Sequence, residues 1–339
     1  MTVTNTASTI PAEQTAASGV KADRIAGIHH ITAFAAIAKE NLAFYTKVLG
    51  LRLVKQTVNF DDPGTYHFYF GDYHGRPGSI LTFFPIEHAA PGRRGTGEVA
   101  ATTFAVPRGS LGFWRERLAG AGVQDLATET RFGSQVVTFS DHDGTSLELV
   151  EVTPGESGTA PLGATTSPSS VVPAGQAIGG FFGATLRVRD IADTGSLLTG
   201  TFGHEVEATE GRRTRYVAAA PASEAGRYLD VVTDGLNARL QAGAGTVHHI
   251  ALRVSDDTSQ QRFSDRLSRR GYQVTEQRDR SYFRSVYFRE RGGVLFELAT
   301  DGPGFATDEP VEALGGALKL PAWLERGRRE IAAALPAIR

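Results

Sequence analysis

The chain has 339 residues, a length for which two domains of ordinary size are expected. Its 35 basic and 37 acidic residues leave a net charge of −2, which indicates neither a nucleic acid nor a membrane surface as a partner. The chain has no cysteine, so disulfides, thiolate nucleophiles and cysteine-bound metals are excluded. A metal must therefore be bound by histidine, aspartate or glutamate side chains.

Residues 1–24 are rich in threonine, alanine and serine and contain no apolar run. A secretory signal needs an apolar segment of roughly 7–15 residues and a membrane span needs roughly 20, so we expect neither. The composition of this segment is typical of a flexible leader. We therefore predict a cytoplasmic protein that begins with such a leader.

Four segments repeat one pattern: a β-like run, an amphipathic helix, a glycine and three further β-like runs. The opening runs are GIHHITAF (27–34), EVAATTFAV (98–106), FFGATLRV (181–188) and TVHHIALRV (246–254). A glycine follows each helix at a nearly constant distance, namely Gly50, Gly122, Gly203 or Gly271. This position favours glycine because the residue that ends a helix often has a positive φ.

The repeats predict an α+β protein built from four βαβββ modules. The predicted segments are a flexible leader (1–24), module 1 (25–87), module 2 (96–153), a linker (154–177), module 3 (178–234), module 4 (244–302) and a C-terminal extension with a helix (303–339). The linker is assigned from its proline, glycine, serine and threonine content.

Aligning the four modules places histidines and carboxylates at two recurring positions. The opening strands carry His30, Ala101, Gly183 and His249, and the closing strands carry Thr82, Glu148, Asp230 and Glu297. Modules 1 and 4 thus combine two imidazoles and one carboxylate, a facial triad that suits Fe(II), and Mn(II) could use the same ligands. Zinc fits this set less well because it prefers a tetrahedral site. A fourth carboxylate ligand is excluded by Thr82.

The remaining candidates have weaker support from the repeats. Glu148 has no histidine beside it, so we expect no second metal site there. Five histidines have no counterpart in the other modules, and we interpret them as loop or surface residues: His67, His74, His88, His142 and His204.

The repeats and their paired histidines resemble the vicinal oxygen chelate superfamily and, more narrowly, the hydroquinone ring-cleaving dioxygenases. The stretches that carry this resemblance are GIHHIT (27–32), FYTKVLGLRLVKQTVNFDD (44–62), TVHHIAL (246–252), DRSYFRSVYFRE (279–290), GVLFELATDGPGF (293–305) and LPAWLE (320–325). It implies the glyoxalase/extradiol dioxygenase fold, in which the modules form two open barrel-like halves.

The resemblance also implies the site residues. Fe(II) would be bound by His30, His249 and Glu297, the triad that the repeats also indicate. Roles in the substrate pocket are implied for His29, Thr32, His248, Arg280 and Tyr287. Thr32 would share a strand face with His30, whereas His29 and His248 need a twist or a bulge to reach the pocket.

Because the ligands come from modules 1 and 4, we expect those two modules to pair around the metal and modules 2 and 3 to form a metal-free half. The implied reaction is O₂-dependent cleavage of an aromatic diol, such as a hydroquinone with or without chlorine substituents. His248 would accept a proton, Arg280 would stabilise an anionic oxygen, and Tyr287 would donate a proton.

Two alternatives remain open from the sequence. The first is a metal-dependent lyase or isomerase of the glyoxalase type. This alternative is disfavoured because Thr82 stands where a fourth, carboxylate ligand would be needed. The second is a protein that sequesters a ligand without catalysis, against which the three convergent ligands argue. The expected partners are a small aromatic diol and O₂, and a homo-oligomer is allowed.

Overall fold

A computed structural model describes residues 24–153, 155, 167–168, 170–222 and 224–338. The predicted leader, apart from Arg24, lies outside these ranges, and so does most of the first half of the predicted linker. Within the described ranges, no helix has both the length and the apolar character needed to cross a membrane.

The elements follow the repeat order predicted from the sequence. The first two modules contain β1 (Ile28–Ala35), α1 (Ala38–Ala43), β2 (Arg52–Asn59), β3 (Asp62–Gly71), β4 (Ile80–Pro85), β5 (Glu98–Pro107), α2 (Leu111–Gly120), β6 (Gln124–Arg131), β7 (Ser134–Ser140) and β8 (Ser146–Val152). The last two contain β9 (Gly180–Arg187), α3 (Ile191–Gly200), β10 (Glu205–Glu210), β11 (Arg213–Val217), β12 (Tyr228–Val232), β13 (Val247–Val254), α4 (Asp257–Arg269), β14 (Arg278–Asp279), β15 (Arg284–Arg289) and β16 (Leu295–Thr300).

The strands form two eight-stranded sheets, each assembled from two modules. The order is β14-β15-β16-β13-β1-β4-β3-β2 in one sheet and β10-β11-β12-β9-β5-β8-β7-β6 in the other. At the centre of each sheet, two opening strands pair antiparallel, and each pairs on its outer side with the parallel closing strand of its own module. The two open half-barrels confirm the predicted fold class.

The register of the closing strands is the same in all four modules. Each closing-strand candidate lies opposite the residue two positions after the one matched to His30, in the pairs Thr82 with Thr32, Glu148 with Thr103, Asp230 with Thr185 and Glu297 with Ala251. The spatial equivalence explains why aligning the modules in sequence brought the same residues together.

Glycine ends the helical segment of every module, as the sequence predicts. Gly50, Gly122, Gly203 and Gly271 have φ angles of 70°, 68°, 74° and 83°. In this region an L side chain is strained, whereas glycine is not. In module 1 the helix changes to a π-helical turn over Phe44–Val48 before it reaches its glycine.

The C-terminal extension lies against the sheet that modules 1 and 4 form. Its helix α5 (Arg328–Ala334) contacts β3. Nearer the start of the extension, Asp308 and Glu309 each place a carboxylate oxygen 2.5 Å from Nζ of Lys55, which is fully buried on β2. The Phe305 ring stacks on Tyr282, with the ring centroids 5.0 Å apart. Phe305 also packs on Tyr69, one of the residues described next, at a centroid distance of 5.1 Å.

Candidate metal centre and pocket

Three buried side chains from three neighbouring strands meet at one point. Nε2 of His30 lies 3.2 Å from Nε2 of His249 and 3.4 Å from Oε2 of Glu297. Nε2 of His249 lies 2.9 Å from the same carboxylate oxygen. Within the described part of the chain, these three residues are the group whose atoms could bind one metal ion.

The distances fit three ligands of one common ion. Two ligand atoms about 2.1 Å from one ion are about 3.0 Å apart at a right angle and about 3.4 Å apart at the tetrahedral angle. The three separations span this range. Although Oε2 of Glu297 is buried, no well-aligned hydrogen bond reaches it from any described residue. A divalent cation would satisfy this oxygen and both imidazole nitrogens together.

The protonation states also suit a cation. Burial alone would raise the pKa of the Glu297 carboxyl, but the adjacent imidazoles of His30 and His249 hold this pKa well below its ordinary value. Burial lowers the pKa of His249 despite its contact with Glu297. The site therefore holds an ionised carboxylate and a neutral imidazole, the forms that bind metals. The other carboxylate oxygen, Oε1, accepts a hydrogen bond from the buried Ser285 hydroxyl.

Each ligand histidine lies next to a second histidine at a β-bulge. The pairing of β1 with β13 skips His29 and also skips His248, so neither residue has a partner in the ladder. Nδ1 of His29 lies 2.9 Å from Nδ1 of His30, and the equivalent atoms of His248 and His249 lie 2.8 Å apart. A histidine that binds a metal through Nε2 carries its proton on Nδ1, so each ligand would donate to its neighbour.

This arrangement changes the role expected for His248. Since Nδ1 of His248 would accept the proton of His249, its own proton must be on Nε2, which then donates rather than accepts. Burial and the neighbouring His249 lower the pKa of His248 to about 3, which also makes it a poor proton acceptor. His248 lines the pocket, whereas the buried His29 lies behind His30 and is absent from the pocket wall.

The triad opens into a cavity of about 100 Å³. This volume is of the same order as an apolar cavity that binds one benzene ring. Its walls combine aromatic and polar side chains: Asn59, Phe60, Asp61, His67, Tyr69, Phe84, His248, Arg280, Phe283 and Tyr287. Five of these residues lie on β2, on β3 or between the two strands, namely Asn59, Phe60, Asp61, His67 and Tyr69. The cavity thus offers a space with aromatic walls next to the candidate metal ligands.

Arg280 and Tyr287 form a polar pair on one wall of the cavity. Nε of Arg280 donates to the Tyr287 hydroxyl across 3.2 Å, and Nη1 of Arg280 lies 3.5 Å from Oδ2 of Asp61. Tyr287 lies opposite Glu297 in the β15–β16 ladder, and its ring packs on His249. Burial and the Glu297 charge raise the pKa of Tyr287, so its phenol stays protonated. The structure therefore brings both predicted residues to the site.

Sequence reasoning missed His67, which we interpreted as a loop or surface residue. This interpretation is wrong, because His67 lies on β3 and lines the cavity. His204 does lie in the loop before β10, but it is not a surface residue, since only 3% of it is exposed and burial lowers its pKa to about 4. The alternation of His67 and Tyr69 with the buried Phe68 and Phe70 is the period-two signal that could have revealed the first error. His74, His88 and His142 do lie in turns.

Among the described residues, the second sheet has no such centre, and the two carboxylates at the matching positions are paired with arginines. Oε1 of Glu148 lies 2.6 Å from Nη1 of Arg131, and its Oε2 accepts a hydrogen bond from Thr103. Oδ1 of Asp230 lies 2.7 Å from Nε of Arg215. The guanidinium groups satisfy the carboxylate charge that a cation would otherwise balance.

The chain is similar over most of its length to curated proteins named as dioxygenases. It is 46% identical to "Putative ring-cleaving dioxygenase MhqO" of Bacillus subtilis over 91% of this chain and 96% of that protein. It is 32% identical to "Chlorohydroquinone/hydroquinone 1,2-dioxygenase" of Sphingobium indicum over 91% of this chain and 95% of that protein. These relatives confirm the prediction of an enzyme of the extradiol dioxygenase type.

Solved structures share the fold. A crystal structure described as a "putative dioxygenase" from Bacillus subtilis has a TM-score of 0.87 at 45% identity, over 94% of this chain and 99% of that one. Glyoxalase I from Zea mays has a TM-score of 0.56 at 13% identity, over 81% of this chain and 92% of that one, and shares the fold alone. A family model matches residues 27–149 and 180–298. The chain belongs to the Glyoxalase/Bleomycin resistance protein/Dioxygenase superfamily.

Proposed function

We propose that this protein is an Fe(II)-dependent dioxygenase that inserts O₂ into a hydroquinone-type aromatic diol and cleaves its ring. The observation that carries the proposal is the convergence of His30, His249 and Glu297 beside a cavity of one-ring size. Two neutral nitrogen ligands and one carboxylate leave coordination positions free for a diol and for O₂, and this ligand set is typical of Fe(II) oxygenases. The name of the Sphingobium indicum relative supports a hydroquinone as the substrate.

Fe(II) bound to the triad would supply a Lewis acid that favours the ionised diol and a redox centre for O₂. Residues of the cavity wall would stabilise the ionised diol and supply protons. Arg280 places a positive charge on the cavity wall, which favours an ionised diol over a neutral one. Tyr287 keeps its phenolic proton and can donate it to an oxygen that becomes negative during ring cleavage. His248 would donate from Nε2 to a substrate oxygen.

The aromatic side chains hold the ring and exclude water. Phe84 and Phe283 both line the cavity, and Phe283 also packs on the His30 ring at a centroid distance of 4.9 Å. Phe60, which lies between β2 and β3, lines the cavity as well. A flat aromatic ring buried among such side chains gains favourable contacts, whereas a flexible aliphatic substrate gains fewer.

The test is anaerobic reconstitution of the purified protein with Fe(II), followed by O₂ uptake with hydroquinone, substituted hydroquinones and catechol. We expect uptake with hydroquinones that depends on added iron, and slower uptake with catechol. Parallel loading with Mn(II) tests the alternative metal. Stoichiometric metal without O₂ uptake from any diol would favour the glyoxalase-type alternative, and a protein that binds diols but no metal would favour ligand sequestration. Cytoplasmic localisation and a homo-oligomer stay predictions.

A further inference from the structure

A chain of hydrogen bonds runs from Tyr69 and His67 in the cavity wall to Thr82 and Thr32, which are both fully buried. The Tyr69 hydroxyl lies 2.9 Å from Nδ1 of His67, and Nε2 of His67 lies 2.9 Å from Oγ1 of Thr82. The Thr82 hydroxyl donates to Oγ1 of Thr32 across 2.8 Å. The imidazole is also held by its neighbours, because its centroid lies 4.1 Å from that of Tyr69 and 4.2 Å from that of Phe84.

The direction of one hydrogen bond sets the direction of the others. The only hydroxyl proton of Thr82 is donated to Thr32, so Thr82 must accept from Nε2–H of His67. Nδ1 of His67 is then unprotonated and accepts from the Tyr69 hydroxyl. Burial lowers the pKa of His67 and raises that of Tyr69, so both groups are neutral as this direction requires.

The last member of the chain has a proton left to donate. Oγ1 of Thr32 accepts from Thr82, and none of the described residues accepts the proton of the Thr32 hydroxyl. Thr32 follows His30 by two positions on β1, so both side chains lie on one strand face. A buried hydroxyl proton without a protein acceptor is costly unless a ligand accepts it.

We propose that Tyr69, His67 and Thr82 are positioning residues that hold the Thr32 hydroxyl as a hydrogen-bond donor to an oxygen of the bound diol. The inference rests on the proposed function, because the diol is the ligand that accepts this proton. It also gives a physical reason for Thr82 at the position where the other modules carry carboxylates. An ionised carboxylate only accepts hydrogen bonds, so at this position it could accept from His67 but could not donate to Thr32.

The first test determines the tautomer of the His67 imidazole directly and does not depend on turnover. Full-length ¹⁵N-labelled protein is prepared without iron, and the histidine tautomers are read from long-range ¹H–¹⁵N correlations, with His67 assigned by its loss in His67→Gln. We expect the Nε2–H tautomer in the wild type and a mixture of tautomers in Tyr69→Phe. The Nδ1–H tautomer in the wild type would overturn the proposal.

The second test measures binding and turnover of hydroquinone by the iron-loaded enzyme. Thr82→Val should weaken anaerobic hydroquinone binding and lower kcat/KM by about tenfold, the size of one hydrogen bond, whereas Thr82→Ser should stay within about twofold of the wild type. Thr102→Val is the control, because Thr102 is a fully buried threonine of the other sheet whose hydroxyl has no partner. We expect this control to match the wild type.

The two tests separate the failure of this inference from the failure of the proposed function. If Thr82→Val binds and turns over hydroquinone as the wild type does, the positioning role is wrong and the proposed function stands. If the wild type consumes no O₂ with any diol, the proposed function is wrong, and anaerobic binding together with the His67 tautomer still decides whether the chain positions Thr32. Loss of binding in both Thr82→Val and Thr82→Ser would also contradict the inference.

Discussion

Tyr287 is the residue whose predicted role is most directly testable by a single atom change. Its phenol stays protonated and its hydroxyl accepts from Arg280 at the cavity wall. Tyr287→Phe removes the proton and keeps the ring, so we expect kcat for hydroquinone to fall by about a hundredfold with little change in anaerobic hydroquinone binding. Stopped-flow O₂ uptake checks this. Tyr216→Phe, in the second sheet, is the matched control, and equal kcat values in the two variants would refute the role.

Ser285 orients the carboxylate ligand through its hydroxyl. It donates to Oε1 of Glu297, which leaves Oε2 directed at the two imidazoles. Loss of a hydrogen bond to a metal ligand usually weakens metal affinity by about 10- to 100-fold, and we expect this range for Ser285→Ala in an anaerobic Fe(II) titration. The control is Thr103→Ala, which removes a hydroxyl contact to Glu148 in the second sheet and should leave Fe(II) affinity unchanged.

At the level of single residues, the sequence predicts the metal ligands but not the residues that support them. His30, His249 and Glu297 are detectable because they recur at matching positions of a repeat. His67 lies on β3, which pairs with the closing strand β4 as β15 pairs with β16, but no other module carries a histidine on this strand, so the repeat does not mark it. Its position depends on the pairing of β3 with β4, which brings Tyr69 opposite Thr82, and no spacing in the sequence specifies that register.

Among the elements, β2 and the C-terminal extension are joined by a buried ion pair. Lys55 is fully buried, and its ammonium contacts Glu309, which is also buried, as well as Asp308. Lys55→Met leaves these carboxylates without a cation, so we expect the free energy of unfolding to fall by about 3 kcal/mol in a denaturant titration. Lys319→Met removes a partly exposed lysine that donates to the backbone carbonyl of Asp308, and it should cost less than about 1 kcal/mol. Similar losses for both variants would contradict the account.

The elements themselves were the most predictable part of the fold. Glycines with positive φ end the helical segments, and period-two strands flank them, so element order follows from local chemistry. The bulges at His29 and His248 were not predictable, although the pocket roles that the resemblance implies for both residues would need a twist or a bulge. A bulge depends on how β1 and β13 pair, and this pairing joins residues more than two hundred positions apart.

Each sheet of the molecule combines one module from the first half of the chain with one module from the second half. Strands β1 to β4 share a sheet with β13 to β16, and β5 to β8 share the other with β9 to β12. A chain cut at an engineered protease site between residues 156 and 166 should therefore stay associated and keep its iron. The two fragments expressed separately should bind none. Size-exclusion chromatography with metal analysis checks both, and iron retained by one isolated fragment would contradict this expectation.

The central claim is that one Fe(II) ion binds where modules 1 and 4 meet, at His30, His249 and Glu297. Anaerobic Fe(II) titration of the wild type and of Glu297→Ala, with O₂ uptake on hydroquinone measured on the same samples, tests it most directly. We predict one iron per wild-type chain, and loss of both iron and O₂ uptake in the variant while its circular dichroism stays native. Retained iron with full O₂ uptake in Glu297→Ala would contradict the claim.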